Sequence, residues 1–219
     1  MNVPADLLPT GWLWLANAGL ALLLGRALWR APWSRLRASE QQHVFYASAV
    51  LVMLLWQMRA GIHPALELHF LGMTSLTLMF GWRLALLAGT LASALSIAVA
   101  GGAWTTLGAT ALLGAAIPVA VTQGFANVVA RVLPWHFFIY VWLNAFFGAI
   151  LAAGAAYLAV IALAAAAAPE AAAAASDYLP ILPLLMFPEG FINGAVITML
   201  VVYRPQWVWS FDDEHYLNR

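Results

Sequence analysis

Long apolar runs separated by short polar or glycine-rich breaks constrain the fold of this chain more than any motif does. Seven runs can be delimited, at residues 11–29, 43–58, 66–82, 84–100, 104–125, 135–163 and 179–203. About 20 apolar residues in α-helical form cross the hydrocarbon core of a bilayer. Only 8% of the residues are charged, against roughly 25% in a soluble domain. The sequence therefore predicts an all-α membrane protein, a polytopic bundle of about seven transmembrane helices.

Charge distribution predicts how this bundle is oriented. With the N-terminus outside, eight of the nine arginines fall on the cytoplasmic side and only Arg59 falls outside, as the positive-inside rule expects. We expect one transmembrane domain over residues 1–219 in the cell (inner) membrane, with the C-terminus cytoplasmic. Residues 164–177, rich in alanine, are predicted to form a low-complexity outer loop, and residues 204–219 a polar cytoplasmic tail.

Composition also limits the chemistry. The chain has no cysteine, so a metal would be held by histidine, carboxylate, methionine or backbone groups. Net charge is zero with histidine neutral, and no basic stretch suits nucleic acid. No phosphate-binding loop of the Walker A type is present, so nucleotide hydrolysis would require separate subunits. The lipid bilayer is the one partner that composition itself predicts.

Glu189 is the clearest candidate for a functional side chain in the apolar runs. Ionisable groups at membrane depth are costly and are seldom without a role. Pro188 removes a backbone donor and Gly190 permits local unwinding, so we expect a carboxylate beside a broken helix, lining a cavity. The alternative is a structural glutamate that is protonated or paired with arginine.

Three further potential ligands, His63, Glu67 and His69, lie within seven residues at the start of the third run. On a helix, positions two apart point away from each other, so Glu67 and His69 converge only if this entry is a loop or a strained turn. Imidazole and carboxylate without thiolate suit Ni, Co, Zn, Cu(II), Mn or Fe. Interfacial hydrogen bonding is the alternative interpretation.

The other histidines lie near predicted cytoplasmic ends of runs. His43 and His136 lie at the interface that Trp33, Trp82, Trp135 and Trp207 mark as an aromatic belt, so interfacial anchoring is the simpler interpretation. A second, inner metal site formed by these two residues is the alternative. His215 lies in the acidic tail, where it is expected to be solvated or docked on a partner.

Several segments resemble the CbiM/NikM family, the membrane substrate-binding (permease) subunits of energy-coupling-factor transporters for cobalt and nickel. Residues 69–82 resemble the family's His-Leu-x-Gly segment followed by a Gly-Pro-Trp helix end. Residues 104–109 are similar to its Leu-x-Ala-Leu-Gly-Ala turn, and residues 1–9 resemble its Met-His-Ile-Pro opening. The resemblance implies uptake of a divalent transition metal together with separate ATPase and transmembrane coupling subunits.

In this family the metal is held by the N-terminal amine, by the amide and imidazole of the second residue, and by a histidine that matches His69. This chain has Asn2 at the second position, which supplies no imidazole. Our hypothesis is that His63, Glu67, His69 and Glu189 form a replacement site near the outer face. A stand-alone membrane metalloprotein with a redox or hydrolytic site, and a membrane module that binds an organic ligand, are the alternatives.

Overall fold

The computed structural model describes residues 3–58, 60–63, 66–167 and 177–217, without the side chains of 60–63, 66, 67, 213 and 217. Helices dominate the described chain. They are α1 (Thr10–Arg30), α2 (Ser39–Leu55), α3 (Met73–Ala100), α4 (Trp104–Val132), α5 (Phe137–Ala167), α6 (Leu179–Tyr203) and the short α7 (Asp213–Leu217). An antiparallel hairpin of β1 (Ala60–His63) and β2 (Leu66–Leu68) precedes α3.

Five of these helices are long and apolar enough to cross a membrane: α1, α3, α4, α5 and α6. The second run forms α2, whose 17 residues stand at the lower limit of about 17 for a span. These elements confirm a multi-pass helical membrane protein. The predicted outer loop is wrong at its beginning, because residues 164–167 continue α5; residues 168–176 lie outside the described chain.

Residues 66–82 were expected to form a third helix separate from the fourth, and the structure corrects where it begins. Helix begins only at Met73, because residues 66–68 form β2 and residues 69–72 are irregular. The expected separation is present, because the non-helical Gly81, where φ is 77° and ψ is 162°, divides α3 into two helices, 73–80 and 82–100. The resulting segment 73–80 is about 12 Å long, too short to cross a membrane as helix alone.

Contacts between elements define two opposite ends of the bundle. At one end, Trp56, which follows α2, donates a hydrogen bond to the carbonyl of Leu71. At the other end, Trp209 N, which follows α6, donates to the carbonyl of Met79. Residues 69–80 therefore pass from one end towards the other, partly as irregular chain and partly as helix. We call the end at Trp56 and Leu71 the His69 end. The end at Met79 and Trp209, where Arg35 lies over the Trp209 ring, is the arginine end.

The predicted polar tail folds against the arginine end. Val208, Phe211 and Tyr216 are buried, and burial raises the pKa of Tyr216 to about 12. Gln41 Nε2 donates to the carbonyl of Gln206 at 3.0 Å, which fastens the tail to the start of α2. Apolar and aromatic side chains thus make the tail part of the bundle.

Candidate metal site

Residues 69–72 enter the bundle without regular secondary structure. His69 and Leu71 are only 5% and 1% exposed. Irregular backbone at membrane depth has no water to satisfy its N–H and C=O groups, and each unpaired group is costly. Hydrogen bonds for this segment must therefore come from neighbouring side chains. Three such side chains supply them: Trp56, Tyr157 and Glu189.

The Glu189 carboxylate accepts hydrogen bonds from two consecutive backbone amides. Leu71 N donates to Oε2 at 2.9 Å, and Gly72 N donates to Oε1 at 2.7 Å. Gly72 is the N-cap residue of α3, in the left-handed conformation with φ 65°. A helix N-terminus presents unpaired N–H groups and a positive partial charge. Glu189, which is 2% exposed, therefore satisfies the two amides that immediately precede the first turn of α3, with its carboxylate at the N-terminus of that helix.

Asn193 extends this cap one turn further along α6. Its Nδ2 donates to Glu189 Oε1 at 2.9 Å, which orients the carboxylate. Its Oδ1 accepts from Ser75 N at 2.9 Å and from Ser75 Oγ at 2.7 Å. Glu189 and Asn193 thus satisfy the N-terminal amides of a helix that is remote in sequence.

Two aromatic side chains satisfy the carbonyl groups of the same segment. Trp56 Nε1 donates to Leu71 O at 2.9 Å, and the Tyr157 hydroxyl donates to His69 O at 3.0 Å. Both aromatic side chains are fully buried. Residues 69–72 are consequently held by three helices, α2, α5 and α6, through hydrogen bonds to their backbone.

The imidazole of His69 is fixed in both orientation and tautomer. Its Nδ1 lies 2.9 Å from the carbonyl oxygen of Phe70. Since a carbonyl can only accept, Nδ1 carries the proton, and Nε2 of the neutral ring carries the lone pair. The ring also packs on the Trp56 indole, with 4.8 Å between the ring centroids. Metal-ligating histidines commonly donate their second ring N–H to a carbonyl in this way.

The N-terminal segment enters the bundle at a similar depth. Val3 is buried, and its N–H donates to Thr110 Oγ1 at 3.2 Å. On α4, Ala115 and the side chain of Met73 both lie against Gly89, so Ala115 marks the level at which α3 begins. Thr110 precedes Ala115 by five residues, roughly 7 Å of helix rise. The chain that precedes α1 therefore lies close to the level at which α3 begins. Met1 and Asn2 are outside the described residues.

The structure brings the predicted ligands together only in part. Glu189 reaches the His69 segment, but both of its oxygens accept hydrogen bonds from amide groups. His63 and Glu67 lie in β1 and β2, and their side chains are outside the described set. Within that set, no group of three or more His, Asp or Glu side chains is clustered for a metal. The expected unwinding at Pro188 is wrong, because α6 continues through it as helix.

His43 is the fifth residue of α2, and His136 is the N-cap residue that precedes α5. The Ser39 hydroxyl is 3.4 Å from Nδ1 of His43 at the start of α2. Nδ1 of His136 accepts from Phe138 N at 3.2 Å and caps α5. These local contacts fit helix capping and interfacial anchoring, and an inner metal site formed by the pair stays a prediction. His215 is exposed and pairs with Asp212 at 3.0 Å.

Sequence reasoning missed Trp56, Tyr157 and Asn193. Asn193 could have been found, because it follows Glu189 by four residues and so lies on the same helix face. Tyr157 bonds to a residue 88 positions away, within an alanine-rich helix that gives no local signal. Such a contact depends on how the helices are arranged in space.

The described structure is a helical bundle in which one buried, oriented histidine lies on an irregular segment held by hydrogen bonds from neighbouring elements. Two solved structures share its fold. A structure described as a truncated transition metal transporter superposes with a TM-score of 0.77 at 18% identity, over 93% of this chain and 99% of its own. A second, described as a transition metal transporter, superposes with a TM-score of 0.73 at 18% identity, over 91% and 92%. No curated protein matches the chain.

The sequence profile of the CbiM family, described as the cobalt uptake substrate-specific transmembrane region, matches residues 2–207. The chain belongs to this family. It is a multi-pass membrane protein of metal-uptake type, which confirms the resemblance noted in segments 1–9, 69–82 and 104–109.

Proposed function

We propose that this chain binds a divalent transition metal as its transport substrate at the His69 end of the bundle. It would act as the substrate-binding subunit of an energy-coupling-factor uptake system. ATP hydrolysis and coupling would come from separate subunits, because the sequence has no nucleotide-binding loop of its own. Family membership supports the class of function, and the geometry of His69 supports the position of the site.

The observation that carries the proposal is the arrangement around His69. Nδ1–H is directed to the Phe70 carbonyl, the Trp56 ring packs on the imidazole, and Tyr157 holds the backbone carbonyl of His69 itself. An imidazole held in one tautomer before the metal arrives loses little freedom on binding. Three side chains hold residues 69–72 through backbone hydrogen bonds that a longer helix would have made within itself. This irregular backbone supports a binding role for the segment.

The remaining ligands are proposed to come from groups near this imidazole. The N-terminal segment, held through Val3 at the level of α3, is one source. His63 and Glu67 in the hairpin are another, since extended backbone, unlike a helix, permits residues 67 and 69 to converge. Glu189 is proposed to position the segment through its amides. Nitrogen and oxygen donors of this kind accept Ni, Co, Zn, Cu, Mn or Fe.

Orientation completes the proposal. Arg30, Arg83 and Arg204 belong to the arginine end, which the positive-inside rule assigns to the cytoplasm. The metal site would then face the outside, and the tail would face the coupling subunits. This arrangement is that of an importer that captures its substrate before energy is used.

Metal binding to the purified full-length chain tests the proposal. We expect His69→Ala to weaken metal affinity by tenfold or more, about 1.4 kcal/mol, measured by elemental analysis after dialysis against a series of Ni, Co or Zn concentrations. His136→Ala is the matched control, since it removes an imidazole at the opposite end, and should retain wild-type metal content. Equal metal content in wild type and His69→Ala would overturn the site assignment.

The partner requirement is tested separately. Affinity purification of the tagged chain from its own host membrane should recover an ATPase and a membrane coupling protein at fixed stoichiometry. Metal uptake should depend on ATP hydrolysis by the recovered ATPase. Metal-dependent turnover by the isolated chain would instead favour a stand-alone metalloprotein.

A further inference from the structure

A recess opens at the arginine end, where the break in α3 meets the C-terminal tail. Its volume is about 340 Å³, within the range of roughly 300–1,000 Å³ that small-molecule sites occupy. Arg35, from the connection between α1 and α2, and Arg83, from the second part of α3, line it. The other polar lining side chains are Thr77, Gln123 and Ser210, and none of the lining residues in the described chain is acidic.

Both arginines are held in place by aromatic rings rather than by carboxylates. The Arg35 guanidinium lies 5.2 Å from the centroid of Trp209, and that of Arg83 lies 4.9 Å from the centroid of Trp82. Stacking on an indole orients a guanidinium while its edge N–H groups stay available. Among the described residues, the salt-bridge contact between His215 and Asp212 involves neither arginine, so neither guanidinium has a described carboxylate oxygen within 4 Å.

Arg83 also has a polar atom that the described chain leaves unsatisfied. Its Nε is buried and has no hydrogen-bond partner among the described residues. A buried donor without an acceptor is uncommon in proteins and calls for a water molecule or an ion. Because Gly81 interrupts the helix, the positive partial charge of the N-terminus of segment 82–100 adds to the field at the same place.

We propose that this recess binds a phosphate group between Arg35 and Arg83. Forked guanidinium groups match the oxygens of a phosphate, and the planar geometry favours two parallel hydrogen bonds. Basic pockets between helices at the cytoplasmic surface commonly take lipid headgroups. The phosphate could belong to an anionic lipid or to a soluble phosphate ester, and both sources present the same chemistry to the two arginines.

Native mass spectrometry on the full-length protein tests this proposal with two probes. One probe is phosphatidylglycerol, compared with phosphatidylcholine of the same chain length, and the other is glycerol 3-phosphate. We expect preferential retention of one phosphate probe, and about a tenfold loss of its affinity in Arg83→Gln, since hydrogen bonds to charged groups are strong. Arg35→Gln should act in the same direction. Arg83→Lys should recover part of the affinity, because it keeps the charge but not the fork.

Arg131→Gln is the matched control, because it removes an exposed arginine from the last turn of α4 at the same end. It should change affinity by less than about twofold, since Arg131 is not among the residues that line the recess. Retention of phosphatidylglycerol would identify the lipid as the source, and retention of glycerol 3-phosphate alone would identify a soluble ester. Equal binding by Arg83→Gln, Arg35→Gln and Arg131→Gln, or no preference for either phosphate probe, would overturn the proposal. If Arg83→Gln does not fold, the exposed Arg35 carries the same comparison.

Discussion

Glu189 takes the place of hydrogen bonds that a continuous helix would have made for itself. Its two oxygens accept the amides of Leu71 and Gly72 and the side-chain amide of Asn193. A buried carboxylate is costly unless several donors compensate it. Three donors do so here, which explains how an acidic residue persists in an apolar helix. Glu189 therefore holds residues 71 and 72 in place through their backbone amides, and does not face a solvent-filled cavity as its neighbours in the sequence suggested.

Glu189→Gln should destabilise the protein while leaving the fold of α6 intact. Glutamine offers one acceptor oxygen where glutamate offers two, so its amide group would face a backbone N–H and leave that donor unpaired. We expect a loss of about 1–3 kcal/mol of stability, seen as a lower midpoint of thermal unfolding in detergent. Metal affinity should fall in parallel, because His69 precedes the displaced amides by only two residues.

The same variant separates positioning from direct ligation. Glu214→Gln is a matched control, since it makes the same change at an exposed carboxylate of the tail, at the opposite end of the bundle, and should change neither property. Loss of metal from Glu189→Gln with an unchanged unfolding midpoint would contradict the capping role and identify Glu189 as a ligand.

How much of the site could be predicted at the residue scale depends on how local its interactions are. His69 was identifiable because the segment around it resembles a family motif, and Glu189 because a charge in an apolar run attracts attention. The function of Glu189 could not be read from Pro188 and Gly190 beside it. It depends on the amides of residues 71 and 72, more than 115 positions earlier in the chain.

At the scale of elements, the third crossing departs most from what its composition predicts. Hydropathy does not distinguish buried helix from buried irregular chain, because both are apolar. Gly72 and Gly81 mark the two ends of segment 73–80, and both have positive φ angles that favour glycine. The runs that became α1, α4, α5 and α6 were predictable, since each is one continuous helix. The boundary at Met73 was not, because side chains on other helices cap it.

Gly81→Ala should destabilise the protein, although there is space for the added methyl group. No atom lies within 4 Å of the new Cβ, but φ 77° and ψ 162° belong to a region that is essentially restricted to glycine. We expect a loss of about 1–3 kcal/mol in thermal or denaturant unfolding.

Gly25→Ala in α1 is the matched control for that substitution. Its Cβ also meets nothing within 4 Å, but its backbone is helical, so alanine should be neutral or stabilise by up to about 1 kcal/mol. Similar unfolding midpoints for the two alanine variants would show that the break at Gly81 does not require glycine.

For the whole molecule, the two ends differ in charge and in the kind of site they carry. One end holds the oriented His69 and the N-terminal segment, and the other holds the arginines, the folded tail and the recess between Arg35 and Arg83. The N-terminal segment and the tail lie at opposite ends of the bundle. The difference in charge between the ends was predictable from the arginines alone. The folding of the tail was not predictable, because its acidic residues suggested solvation.

Cysteine labelling tests the orientation directly, because the natural chain contains no cysteine. Ser34→Cys and Ala103→Cys place one exposed thiol at the arginine end and one at the His69 end. In intact cells or right-side-out vesicles, a membrane-impermeant maleimide should label residue 103 and not residue 34. Inside-out vesicles should give the reverse pattern, and the opposite result in both preparations would invert the proposed topology.

The central claim is that a metal binds at His69. Anomalous diffraction from crystals of the metal-loaded protein, collected at the absorption edge of the bound metal, tests it most directly. We predict a peak about 2.0–2.1 Å from Nε2 of His69, the usual distance for a zinc–imidazole bond, with Nδ1 still bonded to the Phe70 carbonyl. A peak at His43 or His136 with none at His69 would contradict the account.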